Sequence, residues 1–355
     1  MQKILKLCIS AVLLLTAVSA LASTAKADVG GFSVTIANFP ENHNPETRGF
    51  FDLRVYPGQQ QEIEVSINNQ GDTPFYVEIE LVTATTNRNG IVNYSPGDDP
   101  DESMVHPFSE IARLTNSGDR ILEIPANGRV IVPITINVPE EGFEGIILGS
   151  IFVLRAITEA ELAASGMIVN RFANVLIVRL QESDTDVNTN FLLGDVDAML
   201  DNGRAAIIAN IRNPQPRLVT GVVANASIYP LNGNSPIFVR GNVKVDFAPN
   251  SVFPFLMIDE AGFGLHPGEY IARISLEHEG VTWDFEREFE IFAQQAEAIN
   301  TGAINIQQQQ HPVTSTSTQM IIIAALVGAG FTALIAVIVF LKIRVKNLEN
   351  SKGKP

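Results

Sequence analysis

The chain has 355 residues, of which 46% are hydrophobic and 18% charged, and its formal net charge is −15. That composition suits packed cores rather than disorder, and the acidic balance argues against a nucleic-acid binder. Cys8 is the one cysteine, which excludes a disulfide scaffold and a cysteine-based zinc site.

Residues 1–27 read as a secretory signal. Lys3 and Lys6 precede an apolar run that starts at Leu7, and Ala25-Lys26-Ala27 places small residues where a signal peptidase reads. The mature chain then starts at Asp28 and has no cysteine. Period-2 alternation follows in Phe32–Ile36, Phe51–Val55, Glu62–Asn68 and Phe75–Leu81, the pattern of half-buried strands. Pro57-Gly58, Asn69–Asp72, Asn89-Gly90 and Asn127-Gly128 separate these runs as turns. Val130–Val138, Ile146–Ala156 and Phe172–Leu180 read as further strands. Ile157–Gly166 is rich in helix formers and reads as a helix between them. Gln181–Asn190 is polar and marks a boundary. Ala205–Ile211, Val219–Tyr229, Asn242–Phe247, Tyr270–Glu277 and Val281–Ile291 are the strands expected beyond it. Many short strands with close turns predict an all-β fold of two tandem immunoglobulin-like β-sandwich domains.

The C-terminal part differs. Residues 294–319 are polar and low in complexity, as in a stalk. Met320–Leu341 is 22 residues without a charge, a length of about 33 Å as a helix and enough to cross a bilayer. Lys342, Arg344, Lys346, Lys352 and Lys354 follow, which predicts a single-pass span with a cytoplasmic C-terminus. The expected division is therefore a signal peptide (1–27), a first sandwich (28–183), a second (191–293), a stalk (294–319), a transmembrane helix (320–341) and a basic tail (342–355). The extracellular part carries 16 Lys and Arg against 38 Asp and Glu, a net charge of −22. Such a surface resists anionic polymers and tolerates cationic partners. Ala325, Ala329 and Ala333 form a small-residue stripe on the span that suits helix packing.

Motifs that carry chemistry are missing. No G-x-S-x-G, H-E-x-x-H, P-loop or Rossmann glycine pattern occurs, and the five histidines are scattered. The reading is a non-enzyme without a cofactor. Asp184, Asp186 and Asn188 alternate as in a calcium loop, with Asp195 at its end, yet Thr189 stands where glycine is needed. Asp98, Asp99, Asp101 and Glu102 form a second acidic cluster. Both read first as ordinary solvated loops. Pro312-Val313-Thr314 resembles the middle of a sortase signal, but His311 and Ser315 replace its outer residues, so a retained membrane anchor is the better reading.

The order of motifs resembles the WxL-interacting proteins of Gram-positive bacteria. Phe32-Ser33-Val34 with Pro40-Glu41-Asn42, Phe51-Asp52-Leu53 with Pro57-Gly58-Gln59, and the stretch from Ala84 to Gly90 carry the likeness in the first half. Pro139 with Gly142-Phe143, Gly145 and Leu148-Gly149 completes it there. In the second half it rests on Ala248–Ser251, Pro267-Gly268, Tyr270, Trp283, Phe289 and Ile291. His43 and Ser150 depart from the usual pattern. The family would cut the two domains near residues 150–165.

The resemblance implies a cell-envelope protein whose first domain binds peptidoglycan and whose second binds a host ligand, working with WxL-domain surface proteins. Wall strands of sugar and peptide need amide hydrogen bonds and aromatic stacking. Asn42, Asn44, Asn87, Asn89 and Tyr94 are the candidate contacts, although Asn42, Asn87 and Asn89 read first as caps of their own turns. Trp283 alternates with Phe285 and reads as core. The alternatives are a structural scaffold that contacts proteins alone and a calcium-dependent adhesin.

Overall fold

The computed structural model describes residues 31–157, 162, 171–260, 262 and 264–303. The expected signal peptide, the span, the tail, the small-residue stripe and the sortase-like segment lie outside these residues. Most of the helix expected at Ile157–Gly166 does too. Among the described residues no helix is long and apolar enough to cross a membrane.

Strands β1 (Phe32–Asn38), β3 (Gln60–Asn69), β9 (Arg129–Asn137) and β7 (Ala112–Leu114) form one sheet in the order β1-β3-β9-β7. Strands β2 (Phe51–Arg54), β11 (Ala173–Gln181), β10 (Ile146–Arg155), β4 (Phe75–Thr83) and β8 (Ile121–Ile124) form the other, in the order β2-β11-β10-β4-β8, and β5 (Thr85–Thr86) pairs with β6 (Val92–Asn93) in a short ribbon. The alternation visible in the sequence puts Ile63, Val65 and Ile67 of β3 against Val153, Val178 and Leu180 of the facing sheet. A four-residue helix, α1 (Phe108–Ile111), sends Phe108 into this core. Gly149 faces that ring, and a Cβ there would lie 2.2 Å from Phe108.

The second sandwich pairs β12 (Leu192–Asp201), β13 (Arg204–Asn213) and β16 (Ser251–Ile258) in one sheet. The other contains β15 (Phe238–Phe247), β14 (Val219–Pro230), β17 (Gly268–His278) and β18 (Val281–Ile291), in that order. Phe191, Phe247, Phe253 and Phe255 fill its centre. Trp283 packs edge-on against Phe191 with ring centres 5.1 Å apart, and Phe285 also packs against this core.

Four strands of three or more residues were not expected from the sequence: β7 and β8, which are too short to show alternation, and β12 and β16. β12 is broken by a bulge between Leu193 and Val196, and β16 contains Pro254. β16 is an edge strand, where a missing amide donor is tolerated.

The polar segment from residue 294 also departs from expectation. Its first part is not stalk but helix α2 (Ala293–Gly302), with Ala296 and Ile299 buried against the second core. Leu265 and Asn300 exchange hydrogen bonds of 2.7 and 2.8 Å that fix it there. The buried pair at i and i+3 is hidden among polar neighbours in the sequence.

Candidate binding site

The site is built on the β2 edge of the larger sheet. β2 pairs in parallel with β11, so that Asp52 lies opposite Arg179 and Arg54 opposite Gln181. Phe51, Leu53, Val178 and Leu180 alternate with them and are buried. Strand alternation therefore sends Asp52, Arg54, Arg179 and Gln181 to the outer face. The chain after β1 adds a further rung. His43 bridges to Leu53, Asn44 N–H donates to Asp52 O at 2.8 Å, and Arg54 N–H donates to Asn42 O at 3.0 Å. This register places Asn42 beside Arg54 and Asn44 beside Asp52.

These side chains, with Glu41, His43 and Asp184, line a pocket of about 510 Å³. Its walls are tied together by side-chain bonds. Asn42 Nδ2 donates to Arg54 O (2.7 Å) and to Gln61 Oε1 (2.9 Å). Asn44 Nδ2 donates to Asp52 Oδ2 at 2.9 Å, and Thr47 Oγ1 donates to the same oxygen at 3.3 Å. The His43 ring stacks on Phe39 and contacts Thr47 O at 2.6 Å. The loop is thus held rigidly, as a recognition surface requires.

The two guanidinium groups are less completely engaged. Arg179 Nη2 donates to Gln181 Oε1 at 2.7 Å, and its Nη1 lies 3.8 Å from Asp52. Its Nε is enclosed and has no hydrogen-bond partner among the described residues. Arg54 pairs with Asp184. Amide and guanidinium donors around a polar pocket suit a ligand rich in carbonyl, carboxylate and hydroxyl oxygens.

Asn87, Asn89 and Tyr94 are not part of this face. They lie where the first sandwich meets the second. Asn87 Oδ1 accepts from Asn89 N–H at 2.9 Å and from Ile91 N–H at 3.3 Å, so it caps its own turn. Asp246 N–H donates to Gly90 O at 2.8 Å, and a Cβ on Gly90 would stand 3.1 Å from Lys244 O. The Tyr94 ring packs on Ala84, Leu148 and Ala248, and burial pushes its hydroxyl pKa up.

The same junction holds Thr86 Oγ1 against Ser251 Oγ at 2.7 Å, and Ile146 N–H donates to Pro216 O at 2.8 Å. Arg212 grips the buried Asp101 through bonds of 2.6 and 2.9 Å. Burial would raise the Asp101 pKa, but hydrogen bonds from Arg212 and Ser103 outweigh it and hold the carboxyl below its usual range.

The calcium candidates also take separate partners. Asp184 pairs with Arg54, Asp186 with Arg217, and Asp195 with Arg287 at 3.2 Å. Asp98 accepts from Asn93 Nδ2 at 2.7 Å, while Asp101 and Glu102 both face Arg212. No group of three or more possible metal ligands occurs among the described residues.

Residues 32–155 match the family model of the WxL Interacting Protein peptidoglycan binding domain, and residues 164–301 match that of its host binding domain. The chain belongs to the WxL-interacting protein family. Its peptidoglycan-binding match contains Asn42, Asn44, Asp52 and Arg54. Arg179 and Gln181 fall within the host-binding match, although β11 lies between β2 and β10 in the first sandwich. The site therefore draws on both matched segments.

No curated protein matches the chain. Solved structures similar to it include the CupB2 chaperone of Pseudomonas aeruginosa, with 13% identity, 66% of this chain and 95% of that one covered, and a TM-score of 0.27. The YadV chaperone has 11% identity, coverage of 73% and 100%, and a TM-score of 0.29. The E. coli chaperone DraB has 13% identity, coverage of 74% and 98%, and a TM-score of 0.26. These likenesses are too weak to bear on function.

Sequence reasoning missed Arg54, Arg179 and Gln181. A signal was present: each interrupts an apolar strand at alternate positions, as Asp52 does in Phe51-Asp52-Leu53-Arg54.

Proposed function

We propose that the protein is a non-enzymatic binder of the bacterial cell envelope, which holds peptidoglycan in the pocket between Asn42, Arg54 and Arg179. The observation that carries this reading is a rigid, oxygen-seeking pocket whose loop and β2 lie within the segment matching a peptidoglycan-binding family. Wall strands are rich in carbonyl, carboxylate and hydroxyl oxygens, which the guanidinium and amide donors lining the pocket can meet. The second sandwich, matched by the host-binding model, is assigned to a WxL-domain surface protein or a host ligand. The signal and span read from the sequence would place the chain in the cell membrane by a single pass. Both sandwiches, read as immunoglobulin-like, would then stand in the wall and the basic tail in the cytoplasm.

The test is co-sedimentation of the full chain with purified sacculi stripped of anionic polymers. Saturable pelleting, reversed by soluble wall fragments, is expected. If the chain stays in solution yet captures a WxL-domain protein, the scaffold reading replaces this one. The hydrogen-bonded junction between the sandwiches, which suits a rigid spacer, would then be the feature that matters.

A further inference from the structure

Arg54 and Arg179 stand on neighbouring parallel strands and face one polar pocket in a chain whose overall balance is acidic. Asp52 does not use up their capacity. It is buried, accepts from Asn44 and Thr47, and stands 3.8 Å from Arg179. Arg179 Nε is enclosed and has no partner among the described residues, and an orphaned donor on a charged group is costly unless something completes it. Arg54 is covered by Asp184, whose side chain is 87% exposed and comes from the polar segment that links the sandwiches. An ion pair this open contributes little and is easily exchanged for another carboxylate.

We propose that Arg54 and Arg179 form a subsite for a free carboxylate of the wall peptide, and that Asp184 holds this position in the unliganded chain. The inference rests on the wall-binding reading and names the group recognised. Arginine is suited to the task because its planar fork meets both oxygens of a carboxylate. Binding exchanges one carboxylate for another on Arg54, so no charge is left unpaired in the pocket. Asp184, once displaced, is released to water.

The experiment measures binding of a disaccharide-tetrapeptide to the full chain in detergent, beside the same compound with its carboxylates converted to amides. The free acid is expected to bind at least about tenfold more tightly than the amide, the loss of one charge-assisted pair. Asp184→Asn is expected to tighten binding of the acid about two- to five-fold, the worth of an exposed pair, and to leave the amide unchanged. Arg54→Gln is expected to abolish the difference between acid and amide. Arg179→Gln should do the same, and Arg54, being the more exposed, is the variant that keeps the test valid if Arg179→Gln does not fold. Equal binding of acid and amide, with sacculi still pelleting the chain, overturns the carboxylate subsite and leaves the wall-binding reading standing. Failure of sacculi and of both compounds to bind overturns both. Equal competition by inorganic phosphate would show a general anion site and would also overturn the proposal.

Discussion

Two asparagine-bearing loops look alike in the sequence and end in opposite situations. The loop with Asn42 and Asn44 lies along a free sheet edge and frames an open pocket. The turn with Asn87 and Asn89 caps itself through Asn87 Oδ1 and is pressed against β15 of the other sandwich. Both use side-chain amides to fix local backbone. The difference is what lies beyond. A sheet edge leaves the first loop framing an open pocket, whereas the other turn is pinned at Gly90 to the second sandwich, with Asn89 still exposed. Local sequence determines how such a loop holds itself, and long-range packing determines whether it can bind anything.

That contrast can be broken from either side. The largest effect is expected at the junction. Arg212→Ala leaves Asp101 buried without its charge partner and should cost about 2–3 kcal/mol, below the fully buried range because Arg212 is partly exposed. Denaturant unfolding measures the loss, and sacculus binding by the folded fraction should be unchanged. Gly145→Ala comes next. Its φ is +67° and a Cβ would meet Pro216 O at 2.1 Å, so a loss of about 2 kcal/mol is expected, read as a lower Tm.

The most informative pair has smaller effects. Asn42→Ala and Asn87→Ala should each cost about 1 kcal/mol of stability, because each removes hydrogen bonds that fix a loop. Only Asn42→Ala should also weaken binding to sacculi. Equal loss from both would erase the distinction between the loops.

The smallest effect is in pH. The Asp101 carboxyl is held below its usual range, so its stabilising contribution is complete above the unfolded value of about 3.9. It is lost as pH falls through the lower folded value. Unfolding measured between pH 5 and pH 2 should show a shallower decline for Asp101→Asn than for the parent chain.

Much of the fold can be read from the chain because alternation is strong where one face is buried. Phe51-Asp52-Leu53-Arg54 and the run from Ile63 to Ile67 state their strand character without help. β12 and β16 do not, since a bulge interrupts one and Pro254 the other. Helix α2 is hidden because its buried residues, Ala296 and Ile299, are few among polar neighbours. For the site, Asn42 and Asn44 stand out by residue type and lie on one face. Arg54 and Arg179 are 125 positions apart, and only the parallel pairing of β2 with β11 brings them together. Tyr94 looks the same as a surface candidate until Ala248 of the second sandwich packs on it, and Asn87 until its side chain is seen capping its own turn.

The central claim is that the β2 edge, and not the junction turn, binds the wall. The most direct test is sacculus co-sedimentation of full-length Arg179→Gln and Asn42→Ala beside Asn87→Ala, with circular dichroism to match the folded protein in each. Arg179→Gln should bind at least about tenfold more weakly and Asn42→Ala less so, through its loosened loop, while Asn87→Ala binds like the parent chain. Undiminished binding by both edge variants, with loss in Asn87→Ala, would contradict the assignment and move the wall-binding surface to the junction.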